Sequence, residues 1–137
     1  MRRMALMFSF TLAVGIAVGM IGDRVLSAQQ EPIKRTVLLK TDLAGMQGKE
    51  GVMIHVELAP GGAAGKHYHP GHELVYILEG SGTFEAEGNP PRAVKAGDTL
   101  YVTPKLIHDV KNTGKTPVKA LVVAIAEKGQ PLTVPVK

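Results

Sequence analysis

Long stretches of this chain alternate between apolar and polar side chains, which is the period of a β-strand with one buried face. The clearest example is residues 52–58, where every second residue is aliphatic. Clusters of Gly, Pro, Asn and Asp interrupt such runs about every ten residues, as turns do. The further predicted strands are residues 72–79, 83–87, 93–95, 99–103, 107–112 and 118–126.

These strands predict an all-β fold class. No stretch after Ala28 has a helical period, and many short strands with regular turns favour one closed antiparallel sandwich or barrel. The domain is predicted to span residues 31–137, with edge strands at residues 37–40 and 132–136. The Gly80-Ser81-Gly82 turn predicts a hairpin between the strands on either side.

The N-terminal segment, residues 1–28, has a different composition. Two arginines precede residues 4–21, an apolar run without charge over 18 residues, and small residues follow at Ser27 and Ala28. This order is typical of a secretory signal peptide cleaved near Ala28. An uncleaved membrane anchor is the alternative, because the run approaches the length of a membrane span and Leu26 does not fit a cleavage site. Either way we expect residues 31–137 outside the cytoplasm, in the periplasm or secreted.

Charge and cysteine content exclude several classes of function. Residues 1–28 contain three Arg and one Asp, so without them the net charge falls from +4 to +2. No cluster of Lys and Arg remains, and we expect no nucleic-acid partner. Because the chain has no Cys, any metal must be held by His and carboxylate side chains.

Four of the five histidines lie in two short stretches, and residues 67–73 (HYHPGHE) hold three of them. His67 and His69 are two residues apart, so an extended chain can present both imidazoles to one ion. The turn at Pro70-Gly71 lets Glu73 approach the same point, and His108 on a distant strand can supply another ligand. Imidazole and carboxylate suit divalent Fe, Mn, Ni, Co, Cu or Zn.

Two segments resemble the paired motifs of the cupin family. The first motif, Gly, five residues, His-x-His, three residues, Glu, six residues, Gly, is matched by Gly61, His67, His69, Glu73 and Gly80. The second motif is matched in part, by Gly97, His108 and Asn112. Thr103 stands where this motif has Pro, and Lys105 stands where it has Gly. These departures affect the loop and spare the histidine.

The resemblance implies a single jelly-roll β-barrel with one divalent transition metal inside its mouth. Carried over residue by residue, it implies four metal ligands: His67, His69, Glu73 and His108. Four protein ligands on an octahedral ion leave positions open for water or a chelating ligand, unlike a closed structural site. Glu73 is also the candidate catalytic residue, acting as ligand and proton acceptor, as similar glutamates do in flavonol-type dioxygenases of this family.

An apolar barrel interior suits a small organic ligand. The residues predicted to line it are Phe84, Leu78, Val102 and Val110, with Tyr76 and Tyr101 as further pocket walls. His72 is expected to face away from Glu73, toward the surface.

Two functions remain open at this stage. One is an exported metal-dependent oxidoreductase of dioxygenase type, acting on a small chelating phenol or diketone. The other is a non-catalytic periplasmic module that binds a small molecule or a metal, because few acid or base groups accompany the metal ligands. An edge strand near residues 33–40 further predicts a homodimer.

Overall fold

The structure, a computed structural model, describes residues 31–137. The predicted leader, residues 1–28, lies outside the described residues. The described part forms ten strands without a helix, which confirms the all-β fold class. It therefore contains no helix that could cross a membrane. The strands are β1 (Ile33–Asp42), β2 (Lys49–Leu58), β3 (His67–Tyr68), β4 (His72–Glu79), β5 (Ser81–Ala86), β6 (Arg92–Lys95), β7 (Thr99–Val102), β8 (His108–Lys111), β9 (Val118–Glu127) and β10 (Val134–Pro135).

The strands form two five-stranded sheets with antiparallel pairing throughout. The first sheet has the order β1-β2-β9-β4-β7 and the second has the order β10-β3-β8-β5-β6. Because the chain passes repeatedly from one sheet to the other, the sheets enclose a common core, as in a jelly roll.

Burial in the core has the two-residue period of a β-strand. Every second residue of β9 from Val118 to Ala126 is buried, and the residues between them are only partly buried. Pairing with β2 sets Val52 opposite Ala124, so a larger side chain meets a smaller one. Burying each larger aliphatic side chain contributes about 1.5–3 kcal/mol. The buried cluster is Val52, Ile54, Leu58, Ile77, Val94, Leu100, Val118, Ala120, Val122 and Ala124.

The predicted hairpin at Gly80-Ser81-Gly82 is wrong. β4 pairs with β7 and β9 in the first sheet, whereas β5 pairs with β6 and β8 in the second. Gly80 has a φ of 80°, and a Cβ at this position would clash with the carbonyl oxygen of Pro117. The glycine therefore lets the chain leave one sheet and enter the other in a tight space.

Both predicted edge strands lie at sheet edges, although their lengths differ from the prediction. β1 is longer than expected because it pairs with β2 from Ile33 to Asp42, with a bulge between Val37 and Leu39. β10 is only two residues long. Proline cannot donate a main-chain hydrogen bond, which restricts Pro135 to such an edge.

Candidate metal centre

Three imidazoles meet between the two sheets. His67 of β3 pairs directly with His108 of β8, and His69 follows two residues after His67. The ring centroids lie 4.3, 4.9 and 5.0 Å apart, and all three side chains are buried. One ligand nitrogen from each ring lies within 4.8 Å of the other two. Among residues 31–137, this is the only such group of potential metal ligands.

Backbone carbonyl groups orient all three rings. The Nδ1 atoms of His67, His69 and His108 lie 2.6, 2.7 and 2.9 Å from the carbonyl oxygens of Gly65, Leu132 and Leu106, in that order. Because a carbonyl oxygen can only accept, each Nδ1–H donates and the neutral ring keeps its lone pair on Nε2. Metal-binding histidines are held in this way, with the other ring nitrogen donating to a fixed acceptor.

Glu73 of β4 brings a carboxylate beside this triad. Its Oε2 lies 2.9 Å from Nε2 of His69, yet this nitrogen is buried without a hydrogen-bond partner. Burial lowers the pKa of His69, but the Glu73 carboxylate and, to a lesser extent, the Leu132 carbonyl together outweigh burial, so the pKa lies above its ordinary value. A cation that displaces the Nε2 proton of His69 would have two electron-pair donors, His69 Nε2 and Glu73 Oε2, beside it, and the three imidazoles suit a divalent transition metal. Coordination by Glu73 itself stays a prediction.

The other two histidines are biased toward the neutral form. Burial lowers the pKa of His67 and of His108, and the hydrogen bonds to Gly65 and Leu106 oppose this effect without cancelling it. Metal binding requires neutral imidazole, so these two rings are ready to bind over a wider pH range than an exposed histidine.

The triad lines a largely aliphatic cavity of about 130 Å³ between the sheets. Phe84, Val102 and Val110 line it as predicted, and the Phe84 ring centroid is 5.6 Å from that of His108. The prediction for Leu78 is wrong: it lies at a bulge in β4 and is 41% exposed.

The two tyrosines predicted as pocket walls are also misplaced. Tyr76 and Tyr101 are exposed and do not line the cavity. His72 is exposed as expected, and its Nδ1 lies 2.7 Å from the Tyr101 hydroxyl. These side chains therefore lie outside the interior that contains Glu73.

The loop of the second motif retains a glycine-like turn without glycine. Lys105 has a φ of 64°, and no other non-glycine residue between 31 and 137 has a positive φ. Its backbone N–H donates to the carbonyl oxygen of His69 at 2.8 Å. A left-handed conformation costs a lysine about 1 kcal/mol more than a glycine. The loop thus supports the candidate metal centre at a local cost in strain.

Asn112, the last residue of the second motif, has a structural role. Its Nδ2 donates to the carbonyl oxygens of Leu58 and Thr116 at 3.0 and 2.8 Å. Its Oδ1 accepts the N–H of Gly114 at 2.9 Å. The buried amide therefore connects the end of β2 to the loop before β9.

Sequence reasoning missed three residues of the site. Arg35 and Thr133 line the cavity, and the Leu132 carbonyl oxygen orients His69. Arg35 could have been found, because it interrupts an aliphatic alternation between Ile33 and Val37. The contact between the Leu132 carbonyl and His69 could not have been predicted, because every residue has a backbone carbonyl and residue type does not show which one approaches the ring.

Comparisons with known proteins agree with this architecture. Residues 54–124 match the family model of the cupin domain. An oxalate-binding protein from Thermotoga maritima is 36% identical over 81 residues, which cover 58% of this chain and 66% of that protein. A substantial part of that relative lies outside the match.

Solved structures extend the similarity to the fold. A Klebsiella pneumoniae protein with a double-stranded β-helix domain has a TM-score of 0.62 at 22% identity, covering 78% of this chain and 87% of that one. An oxalate oxidase bound to the substrate analogue glycolate has a TM-score of 0.60 at 27% identity. That match covers 77% of this chain and 55% of the oxidase.

Proposed function

This chain belongs to the cupin domain family, and we propose that it binds one divalent transition metal through His67, His69 and His108, with Glu73 as fourth ligand. The observation that carries the proposal is the convergence of three buried imidazoles whose Nδ1 protons are all donated to backbone carbonyls. Fe, Mn, Ni, Co, Cu and Zn all suit this set of ligands.

A small chelating organic molecule is the proposed ligand of this centre. When bound, the metal supplies a Lewis-acidic centre that polarises oxygen ligands and, for several of these metals, is redox-active. The aliphatic walls of the cavity hold the apolar part of such a molecule and exclude water. Glu73 is the one carboxylate that lines the cavity within the described residues, and its Oε2 is the proposed proton acceptor for an acidic hydroxyl group.

Two activities are compatible with this arrangement. The first is a dioxygenase-type oxidoreductase acting on a chelating phenol or diketone. The second is a non-catalytic binding module, favoured because the described cavity lining has no general acid or base apart from the histidines and Glu73. The name of the Thermotoga maritima relative makes oxalate the first dicarboxylate to test.

Elemental analysis of the purified protein tests the metal site. We expect about one equivalent of a transition metal in the wild type and loss of the metal in His69→Ala, because a tetradentate site loses a ligand. His72→Ala is the matched control, since His72 lies in the same motif but is exposed on the outer side. No metal after anaerobic reconstitution, or retention in His69→Ala, would contradict the proposal.

Dioxygen uptake separates the two activities. Metal-loaded protein is mixed with catechol, acetylacetone or oxalate, and dioxygen consumption and products are followed beside calorimetric binding. Turnover lost in Glu73→Gln, with ligand binding retained, supports the oxidoreductase. Saturable binding without a product supports the binding module.

Export is also proposed, on the basis of the basic head and the uncharged run in residues 4–21. Cell fractionation followed by mass spectrometry of the intact protein distinguishes the alternatives. A periplasmic or secreted product shortened near Ala28 indicates a cleaved leader, and a full-length membrane-associated product indicates an anchor. A full-length product in the cytoplasm would contradict both.

A homodimer through β1 is the last part of the proposal. β1 is a sheet edge, and Val37, Leu38 and Leu39 on it are 57, 55 and 51% exposed. Apolar side chains on an unpaired edge favour association with another strand. Light scattering is expected to give a dimer for the wild type and a monomer for Leu38→Lys, with Leu74→Lys as a dimeric control. A monomeric wild type at high concentration would contradict the proposal.

A further inference from the structure

Arg35 introduces a cation into the wall of the aliphatic cavity. It pairs with Val56 across β1 and β2, and cross-strand partners project to the same side of a sheet. Both residues line the cavity together with the histidine triad. Arg35 is solvent-exposed overall and lies on the edge strand β1. Its side chain therefore lines the cavity from the open edge of the sandwich.

No described residue forms an ion pair with this guanidinium group. The ion pairs within residues 31–137 join lysines to carboxylates, or His69 to Glu73. Partial burial lowers the pKa of Arg35, and the charge of Glu73 opposes this effect from a distance. A planar guanidinium is suited to bidentate binding of a carboxylate.

A metal-loaded cavity would favour an anion. A divalent metal held by neutral imidazoles would, together with Arg35, outweigh the negative charge of Glu73, the one carboxylate among the described residues that line the cavity. A carboxylate in the cavity would neutralise part of this excess.

We propose that Arg35 makes the cavity selective for a carboxylate that carries an apolar body. The guanidinium binds the carboxylate, and the aliphatic walls hold the hydrocarbon part. The cavity of about 130 Å³ has largely aliphatic walls. Oxalate has no hydrocarbon part to bury against them, so a 2-hydroxy acid with an aliphatic chain is the better fit. This inference rests on the proposed function, because the ligand's other oxygen is placed at the triad.

Calorimetric titration of the full chain, both metal-free and loaded with Mn²⁺, tests this assignment. The probes are glycolate, 2-hydroxybutyrate and 2-hydroxyhexanoate, with 1,2-hexanediol as the neutral match of the longest acid. We expect the affinity to rise about threefold to fourfold per added methylene. We expect the diol to bind at least about tenfold more weakly than the matching acid, since it lacks the charged hydrogen bonds.

Substitutions at Arg35 test whether the preference for the acid over the diol depends on this side chain. Arg35→Gln is expected to bring the affinities for acid and diol together, whereas Arg35→Lys keeps part of the preference. Lys34→Gln removes a neighbouring charge that does not line the cavity and should keep the full preference. Circular dichroism checks that each variant folds. If Arg35→Gln does not fold, a reduced preference for the acid in Arg35→Lys still tests the role of Arg35.

An unchanged acid preference in Arg35→Gln, or an affinity that falls with chain length, would overturn the inference. Elemental analysis of the same samples keeps the two proposals apart. If metal fails to bind, the proposed function fails, and the metal-free titrations still decide the role of Arg35. If metal binds and the acid preference does not depend on Arg35, only this inference fails.

Discussion

The Nδ1–H group of His69 donates to the carbonyl oxygen of Leu132, which is 2.7 Å away and 63 residues further along the chain. This contact joins the candidate metal centre to the C-terminal segment. β10 follows directly and pairs with β3, the strand that contains His67. The last residues of the chain therefore orient one imidazole and flank another. Acceptors that fix metal-binding histidines commonly alter metal affinity when they are removed.

Truncation after Gly129 removes both the Leu132 acceptor and β10. We expect the metal affinity to fall about 10- to 100-fold, because His69 loses the partner that fixes its orientation. Competition with a chromophoric chelator measures this change, and far-UV circular dichroism checks the fold. A chain ending at Val136 is the control, since it keeps both elements. Unchanged affinity in the folded, shorter truncation would show that the acceptor has no effect.

Asn112→Ala should destabilise the fold by about 3 kcal/mol, because three hydrogen bonds of a buried amide are lost. Asn112→Asp should be at least as harmful, since it sets a carboxylate against two carbonyl oxygens. Asn89→Ala is the control, because Asn89 is exposed and donates one side-chain hydrogen bond. Urea unfolding gives the differences. A loss for Asn112→Ala no larger than that of the control would contradict the structural role.

Gly80→Ala and Gly88→Ala separate backbone strain from steric clash. Both glycines have a positive φ, 80° and 76°, but only Gly80 lies against a neighbouring backbone. We expect Gly88→Ala to cost about 1 kcal/mol in unfolding free energy. Gly80→Ala should cost about 2–4 kcal/mol, because its Cβ would also clash with Pro117. Equal losses in urea unfolding would refute the crowding at the crossover between sheets.

Lys105→Gly should stabilise the protein by about 1 kcal/mol, because glycine adopts the left-handed region without a Cβ penalty. The hydrogen bond from residue 105 to His69 involves only backbone atoms and is retained. Lys105→Ala keeps the penalty and should give no gain. Thermal unfolding compares the three proteins, and a loss of stability in the glycine variant would mean that the lysine side chain itself supports the loop.

Local patterns predicted much of the fold and part of the site. The two-residue period identified strands β2 and β5 because burial of one sheet face imposes that period. The spacing of His67 and His69 indicated that the two rings share one side, and the structure places them together with His108. The same pattern failed in β4, where apolar residues occupy both faces. Val75 lines the cavity, and Leu74, Tyr76 and Leu78 are exposed.

The amino-acid sequence was sufficient for the fold class, the edge strands and the pairing of His67 with His69 on one side, because each depends on residue type and short spacing. His108 lies far along the chain, and its place in the expected ligand set came from the resemblance to the cupin motifs. Only the tertiary structure placed β4 and β5 in different sheets, set Arg35 in the cavity wall and brought the Leu132 carbonyl to His69. Alternation of apolar and polar residues indicates that a strand has one buried and one exposed face, but it does not indicate which sheet the strand joins. Which backbone group approaches which ring depends on long-range strand pairing, and no single residue type encodes that contact.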